Sequence, residues 1–235
     1  MDELFIIAGR KENSWIGICI SDDGRLVCST IPMLDLKDTL VCILNVLQKF
    51  RIQRPLNVSM LAFRDIRDRY FKTIKNSRDV HFVPISKLPR NLRRRSEKYI
   101  YKLWSAWTSG GVKFSEREVY IMDKIPRFDK EVLSITMKIP RGFVTTYGEI
   151  SKVIAGTNRY ARKVARILAR NPLPLVIPCH RVIMKDRSLG GYSYGAQHKW
   201  NLLTREGIPI SEKGLVPNEY IIRAEELLLL LSNPQ

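Results

Sequence analysis

Several things this chain lacks narrow what it can be. No run reaches the roughly 18 apolar residues that span a bilayer, so no membrane-crossing segment is expected. The start, Met1-Asp2-Glu3-Leu4, does not have the basic-then-apolar form of a secretory signal. A cytoplasmic setting with reduced thiols is therefore the expectation, beside the nucleoid if the source is prokaryotic. No internal repeat or low-complexity tract is evident, which excludes solenoid and fibrous classes. The four cysteines are not spaced as a zinc finger or ribbon. Cys19, Cys28, Cys42 and His81 match zinc ligands by residue type alone, at irregular intervals, and no metal is expected. Acidic residues are scarce, 23 against 40 Lys and Arg, leaving a formal net charge of +17. That balance suits a polyanion such as DNA, RNA or an anionic membrane surface.

What is present reads as two domains in 235 residues. Strands are predicted at residues 5–8, 15–20 and 26–30. Asp23-Gly24 is a hairpin turn signal that sets Cys19 opposite Cys28. Two buried small hydrophobes are the plainer reading of that pair; a disulfide is the other, suited to a hyperthermophile. Residues 37–50 have helical periodicity, with Leu40, Val41, Leu44, Leu47 and Gln48 on one side. A further strand over 57–63 and a helix over 62–75 follow. Residues 90–102 are crowded with cations, either a solvated helix face or a nucleic-acid footprint. Ser109-Gly110-Gly111 is the strongest breaker there, and the junction is placed near it. Residues 1–115 form one domain and 116–235 the other.

In the second half, residues 128–137 read as a helix with Val132, Leu133 and Thr136 packed. Residues 147–154 form a short helix that Thr146 caps, with Glu149 completing a capping box. After the turn at 155–158, a second helix covers 159–170. Two short helices about a glycine-bearing turn suggest helix-turn-helix. At about 100° per residue, Arg159, Arg162, Lys163, Arg166 and Arg170 share one arc, while Tyr160, Ala161, Val164, Ile167 and Leu168 fill the other side. The helix has no acid, so its one-sign face is read as a surface for phosphates. Asn218 starts a terminal helix in which Leu227, Leu228 and Leu231 dock.

Eight residues past that basic helix stands Pro178-Cys179-His180-Arg181, between Leu175-Val176-Ile177 and Val182-Ile183. Pro178 fixes a torsion just before the thiol. A histidine and nearby cations can turn a thiol into a nucleophile. In extended chain Cys179 and His180 point to opposite faces, so they work together only if the chain turns or a water bridges them, with a third group orienting the imidazole. Alternatively Cys179 is an inert core residue. A nucleophile next to a DNA-docking helix points to chemistry on an extruded base.

The chain resembles the O6-alkylguanine-DNA alkyltransferases over residues 126–207. The resemblance rests on Ile139-Pro140-Arg141-Gly142, Thr146-Tyr147-Gly148-Glu149-Ile150, Tyr160-Ala161-Arg162-Lys163-Val164, Asn171-Pro172, the Pro-Cys-His-Arg segment, Gly190-Gly191-Tyr192-Ser193 and Glu206-Gly207. It implies an α+β protein with an N-terminal α/β domain on an antiparallel sheet and a mostly helical C-terminal domain. It also implies one-time alkyl transfer from O6 of guanine, or O4 of thymine, to Cys179 in flipped DNA, without metal or organic cofactor, by a monomer. His180 would deprotonate the thiol through a water, and Glu206 would orient His180. Tyr147 would assist nucleotide rotation and protonate the leaving guanine, while Arg162 would fill the vacated stack. Asn171 would brace the turn before the active segment. Tyr192, Ser193 and Val182 would line or read the pocket, Val182 through its carbonyl. Tyr194 stands where many members have glycine, and its bulk is expected to narrow the pocket. Related lesion-recognition proteins without transferase activity carry another residue in place of the cysteine. The rivals are such a protein, a helix-turn-helix regulator and a cysteine hydrolase.

Overall fold

The computed structural model describes residues 4–49, 56–60, 80–82, 87–109 and 114–232. The chain divides into two units, Met1–Ser105 with Ser115–Asp123, and Ala106–Phe114 with Lys124–Gln235.

In the first unit β1 (Leu4–Lys11), β2 (Ser14–Ser21) and β3 (Leu26–Ser29) form the expected antiparallel meander. β4 (Leu56–Met60) and β5 (Val80–Phe82) extend it on the β1 side in parallel, giving the order β3-β2-β1-β4-β5. Asp23-Gly24 makes the β2–β3 turn, with Gly24 at φ +79°, where a side chain would be strained. Cys19 does pair with Cys28, but not by the two-residue turn expected: the loop has three residues, Asp22-Asp23-Gly24, closed by the Ser21 N–H on the Arg25 carbonyl at 3.0 Å, so Ile20 opposes Leu26, and a bulge between Cys19 and Ile20 restores the pair. Both are free and fully buried, and burial pushes the Cys28 thiol well up, which keeps it protonated and inert.

Helices cover both faces of this sheet. Leu36, Leu40, Ile43 and Leu47 of α1 (Leu36–Lys49) join Leu4, Ile6, Ala8 and Trp15 in one cluster. The packed row follows i, i+4, i+7, i+11, so Val41 faces out, contrary to its expected place on the packed side. Gly17 admits α1 closely, since a Cβ there would fall within 3 Å of Ile43 and Thr39. Gly9 does the same for Ile100 of α2 (Arg90–Ser109) on the opposite face. The helix expected at 62–75, the strand beyond Met60, the Gly110-Gly111 break and the side chain of His81 lie outside the described residues. Among the described residues no cluster of metal-ligating side chains occurs, and no helix is long and apolar enough to cross a membrane.

The second unit holds α3 (Arg127–Lys138), β6 (Thr145–Thr146), α4 (Tyr147–Ala155), α5 (Ala161–Leu168), β7 (Val182–Ile183), α6 (Ala196–Arg205) and α7 (Ala224–Ser232). β6 and β7 pair in parallel and join the start of α4 to the segment after Cys179. Thr146 caps α4 by accepting from the Glu149 N–H at 3.2 Å. The reciprocal half of the capping box is replaced. Glu149 Oε2 instead accepts from the Ala224 N–H at 2.9 Å and ties down the start of α7. Gly156, left-handed at φ +65°, ends α4. Ser151 Oγ then accepts from the Tyr160 N–H and donates to the Thr157 carbonyl, fixing the turn into α5. In α7 Leu227 is buried, whereas Leu228, one step round the helix, is exposed rather than docked.

Thr146→Ala should destabilise this unit by about 1 kcal/mol, the usual cost of losing such a cap, while Thr146→Ser should cost little. Urea unfolding of the two variants checks this; equal stabilities would mean that the cap contributes nothing.

Candidate active site

The chain between α5 and β7 is built to present one sulfur. α5 ends at Leu168, and Asn171 begins a turn whose Leu173 N–H returns to Asn171 Oδ1 at 3.0 Å. Leu175 adopts φ +71°, a conformation that branched side chains disfavour. Pro178, at φ −76° and ψ 62°, forms an inverse γ-turn, closed by the Cys179 N–H on the Ile177 carbonyl at 2.7 Å. Cys179–Arg181 is then one 3₁₀ turn. The chain therefore turns between the cysteine and the histidine, as joint action requires. Asn171 Nδ2 donates to the Ile177 carbonyl at 2.8 Å and to Cys179 Sγ at 3.0 Å, bracing the turn and the sulfur together.

Behind the sulfur lies a buried ionic group. His180 Nε2 meets Glu206 Oε1 at 2.9 Å. Arg181 donates to both Glu206 oxygens, from Nε at 2.8 Å and Nη2 at 2.7 Å, and through Nη1 to the Ile139 carbonyl at 2.7 Å. Burial would raise the Glu206 carboxyl, but its bonds and charges with His180 and Arg181 outweigh that and hold it at about 2. Burial lowers His180 from its ordinary value, against the pull of Glu206, so its imidazole is neutral at neutral pH. Its Nδ1 is buried without a hydrogen-bond partner among the described residues, leaving that nitrogen available to accept a proton. Burial raises the Cys179 thiol, while the Asn171 donor and the charge of Lys199 pull it down. The resting sulfur is a thiol.

Cys179 opens into a cavity of about 410 Å³ lined by Tyr147, Ala165, Leu168, Ala169, Met184, Gly191, Tyr192 and Ser193, a size suited to a small ligand. Burial, reinforced by the neighbouring Cys179, pushes the Tyr147 hydroxyl up to about 12, so it stays a proton donor. Ser193 Oγ donates to the Ala169 carbonyl at 2.7 Å. Val182 and Asn171, expected at the pocket, do not line it: Asn171 stands behind the sulfur, and the Val182 carbonyl accepts from Lys199. Tyr194 does not line it either. Its ring leans on Tyr192, 5.6 Å between centroids, so it acts on the pocket wall at second hand, and Met184 supplies bulk instead.

Two residues stand out that local sequence patterns did not single out. Lys199 is fully buried, with Nζ donating to the carbonyls of Val182 at 2.7 Å and Leu189 at 2.6 Å; burial lowers it to about 8. The i, i+3, i+4 spacing with Leu202 and Leu203 would have put it on the packed face. Arg181, read only as a nearby cation, is the second holder of Glu206, which no local spacing reveals.

On α5 and the turn before it, Arg159, Arg162, Lys163, Arg166 and Arg170 lie on the outer face, and Val164, Ile167 and Leu168 are buried, as the wheel predicts. Arg159 stands on a 3₁₀ turn and Arg170 beyond the helix end. Tyr160, expected on the packed side, is 47% exposed, because it precedes α5 in that turn, and its ring meets Phe128 edge-on at 5.9 Å. Lys163 Nζ lies 4.0 Å over the Phe128 ring.

The second unit thus sets two short helices about a turn, the second with a basic outer face, beside a buried Cys-His-Glu-Arg group that opens into a cavity. Residues 127–208, within the second unit, match the model of the family described as 6-O-methylguanine DNA methyltransferase, DNA binding domain. Curated relatives named methylated-DNA–protein-cysteine methyltransferase include those of Methanocaldococcus jannaschii, 51% identical over 83 residues (35% of this chain, 47% of the relative), and Pyrobaculum aerophilum, 46% identical over 83 residues (35% and 53%). The chain spans about half the length of these relatives. The structure of O6-methylguanine-DNA methyltransferase from Pyrococcus kodakaraensis is similar in fold, with TM-score 0.54 and 24% identity, over 87% of this chain and 99% of that one. The Mycobacterium tuberculosis O6-methylguanine methyltransferase follows at 0.50 and 17%, over 86% and 92%.

Because Glu206 is held near 2 against an ordinary 4.5, unfolded chain takes up a proton before the folded protein does as pH falls through this window. Stability is then lost between about pH 4.5 and 2. His180, lowered from 6.5, adds a loss of the same sign beginning nearer neutrality. Urea unfolding across that range should show the decline, and Glu206→Gln should be less stable at pH 7 with a shallower acid-side slope. An unchanged slope would contradict the ion group.

Proposed function

We propose that this protein repairs DNA by a single, irreversible transfer of an alkyl group from O6 of guanine, with O4 of thymine as a lesser substrate, to Cys179. The observation that carries the reading is the Cys179–His180–Glu206–Arg181 group opening into a cavity directly after a basic helix-turn-helix. Similarity to proteins named methylated-DNA–protein-cysteine methyltransferase supports it. The protein acts as a monomer on duplex DNA, and a cytoplasmic location goes with that substrate.

The basic face of α5 grips phosphates, and Arg162 takes the place of the extruded base. The flipped nucleotide enters the cavity against Tyr147, Tyr192 and Ser193. His180 accepts the thiol proton through its free Nδ1 side, by way of a water. Glu206 and Arg181 fix the ring, and the carboxylate stabilises the imidazolium that forms. The sulfur attacks the alkyl carbon, the carbon–oxygen bond breaks, and Tyr147 gives a proton to the departing guanine. The thioether is stable, so each molecule reacts once. Nothing in this sequence of steps draws on a metal or organic cofactor.

Incubation with a methylated-guanine duplex should add one methyl group, about 14 Da, to the intact protein and localise it on Cys179. Cys179→Ala should abolish the adduct and retain duplex binding. Folded wild-type protein that stays unmodified in excess lesion would sink the reading, and turnover with a transient adduct would mark a hydrolase. Arg162→Ala should weaken capture of lesion DNA more than binding of intact duplex; equal losses would reduce it to a phosphate clamp.

A further inference from the structure

The proposed repair reaction uses the cations of α5 and leaves a second basic surface unexplained. Between residues 87 and 102 stand seven cations and one acid, Glu97. In α2 the inner face is Leu92, Ser96, Tyr99, Ile100, Leu103 and Trp104, all buried. At about 100° per residue, Arg90, Arg94, Lys98 and Tyr101 fall together on the opposite face, and all four are exposed. Some neighbouring cations have local work. Arg95 donates to the Asp23 carbonyl at 2.6 Å, and Lys102 lies 3.1 Å from Glu118. Lys98, 63% exposed, reaches Glu118 only at 3.9 Å, a pairing worth little at that exposure. Arg90 and Arg94 have no acidic partner among the described residues.

A stripe of like charges on one helix repels itself, at a cost of a few tenths of a kcal/mol per i, i+4 pair. A solvated helix face ordinarily mixes signs. This one sets a cation at every fourth residue, about 6 Å of rise, and ends in Tyr101, an aromatic left 72% exposed. The whole stripe is roughly 17 Å long, enough to follow several consecutive phosphates of one strand. A tyrosine at its end adds a hydroxyl donor for phosphate or sugar.

We propose that the Arg90, Arg94, Lys98 and Tyr101 face of α2 is a second DNA-backbone contact, separate from α5 and indifferent to sequence. It rests on the reading that this chain docks on duplex DNA, not on the chemistry at Cys179. Each neutralised phosphate releases counterions, so the slope of log K against log salt reports how many cations engage.

The test is binding of full-length protein to an undamaged duplex of about 30 base pairs over a range of salt. Relative to wild type, the triple variant Arg90→Glu, Arg94→Glu, Lys98→Glu should flatten the slope by about 2 to 3, at about 0.9 for each phosphate that is no longer neutralised. The milder Arg90→Gln, Arg94→Gln, Lys98→Gln variant should move it the same way, and its melting curve shows that the fold survives. A wild-type slope in both variants overturns the proposal. So does an unchanged slope accompanied by lost binding to phosphatidylserine vesicles, which would assign the face to a membrane. Methyl transfer by the wild-type protein is read in parallel. Failure there with a stripe-dependent slope removes the repair reading and leaves this one standing.

Discussion

The Glu206 carboxylate, sealed between an imidazole and a guanidinium, is the interaction on which the second unit depends. Its two oxygens accept from Arg181 side by side, and one also meets His180. Burial, helped by the charge of Arg181 that balances the carboxylate, leaves His180 neutral and able to take a proton. Breaking a buried pair of this kind strands a charge and typically costs about 3 to 5 kcal/mol. In the proposed reaction the same carboxylate supports the fold, orients the base and prepares for its positive charge. These three duties cannot be separated by substituting Glu206 alone.

Around that group the environment opposes ionisation of Cys179 at rest. Burial favours the thiol, and chiefly Asn171 and the charge of Lys199 work against it. In the proposed reaction the proton leaves within the chemical step, toward a base already aligned. Lys199 also ties the Val182 and Leu189 carbonyls to α6, so the segment after the cysteine and the loop leading to the cavity wall share one buried cation. Tyr147, kept protonated by burial, stands on the cavity wall and is the acid of the proposed reaction. The two proton carriers differ in environment, one poised to accept and the other to donate.

Much of this was legible in the residues. The place of the Asp23-Gly24 turn, the Thr146 cap and the one-sign face of α5 are local patterns that packing did not overrule, whereas Cys19 meets Cys28 only through a bulge that the turn does not encode. Periodicity failed where the real row was set by the partner surface: Val41 and Leu228 lie one step round from the packed positions, and Tyr160 sits in a turn rather than the helix. Glu149 completes a capping box by spacing, yet its carboxylate finds the Ala224 amide 75 residues on, which no local pattern encodes. For the same reason the roles of Arg181 and Lys199 stayed hidden: each is defined by carbonyls or carboxylates far along the chain. The parallel strands β4 and β5 are likewise long-range additions to a hairpin that local turn chemistry could specify.

The claim that the buried base, not a pre-formed thiolate, drives the reaction is tested most directly by the pH dependence of single-turnover methyl transfer to Cys179. With His180 as acceptor, held below 6.5, the rate should be level from about pH 7 to 9 and fall only on the acid side. A rate climbing about tenfold per pH unit from 7 to 9, following ionisation of a thiol raised above its ordinary 9.0, would contradict it.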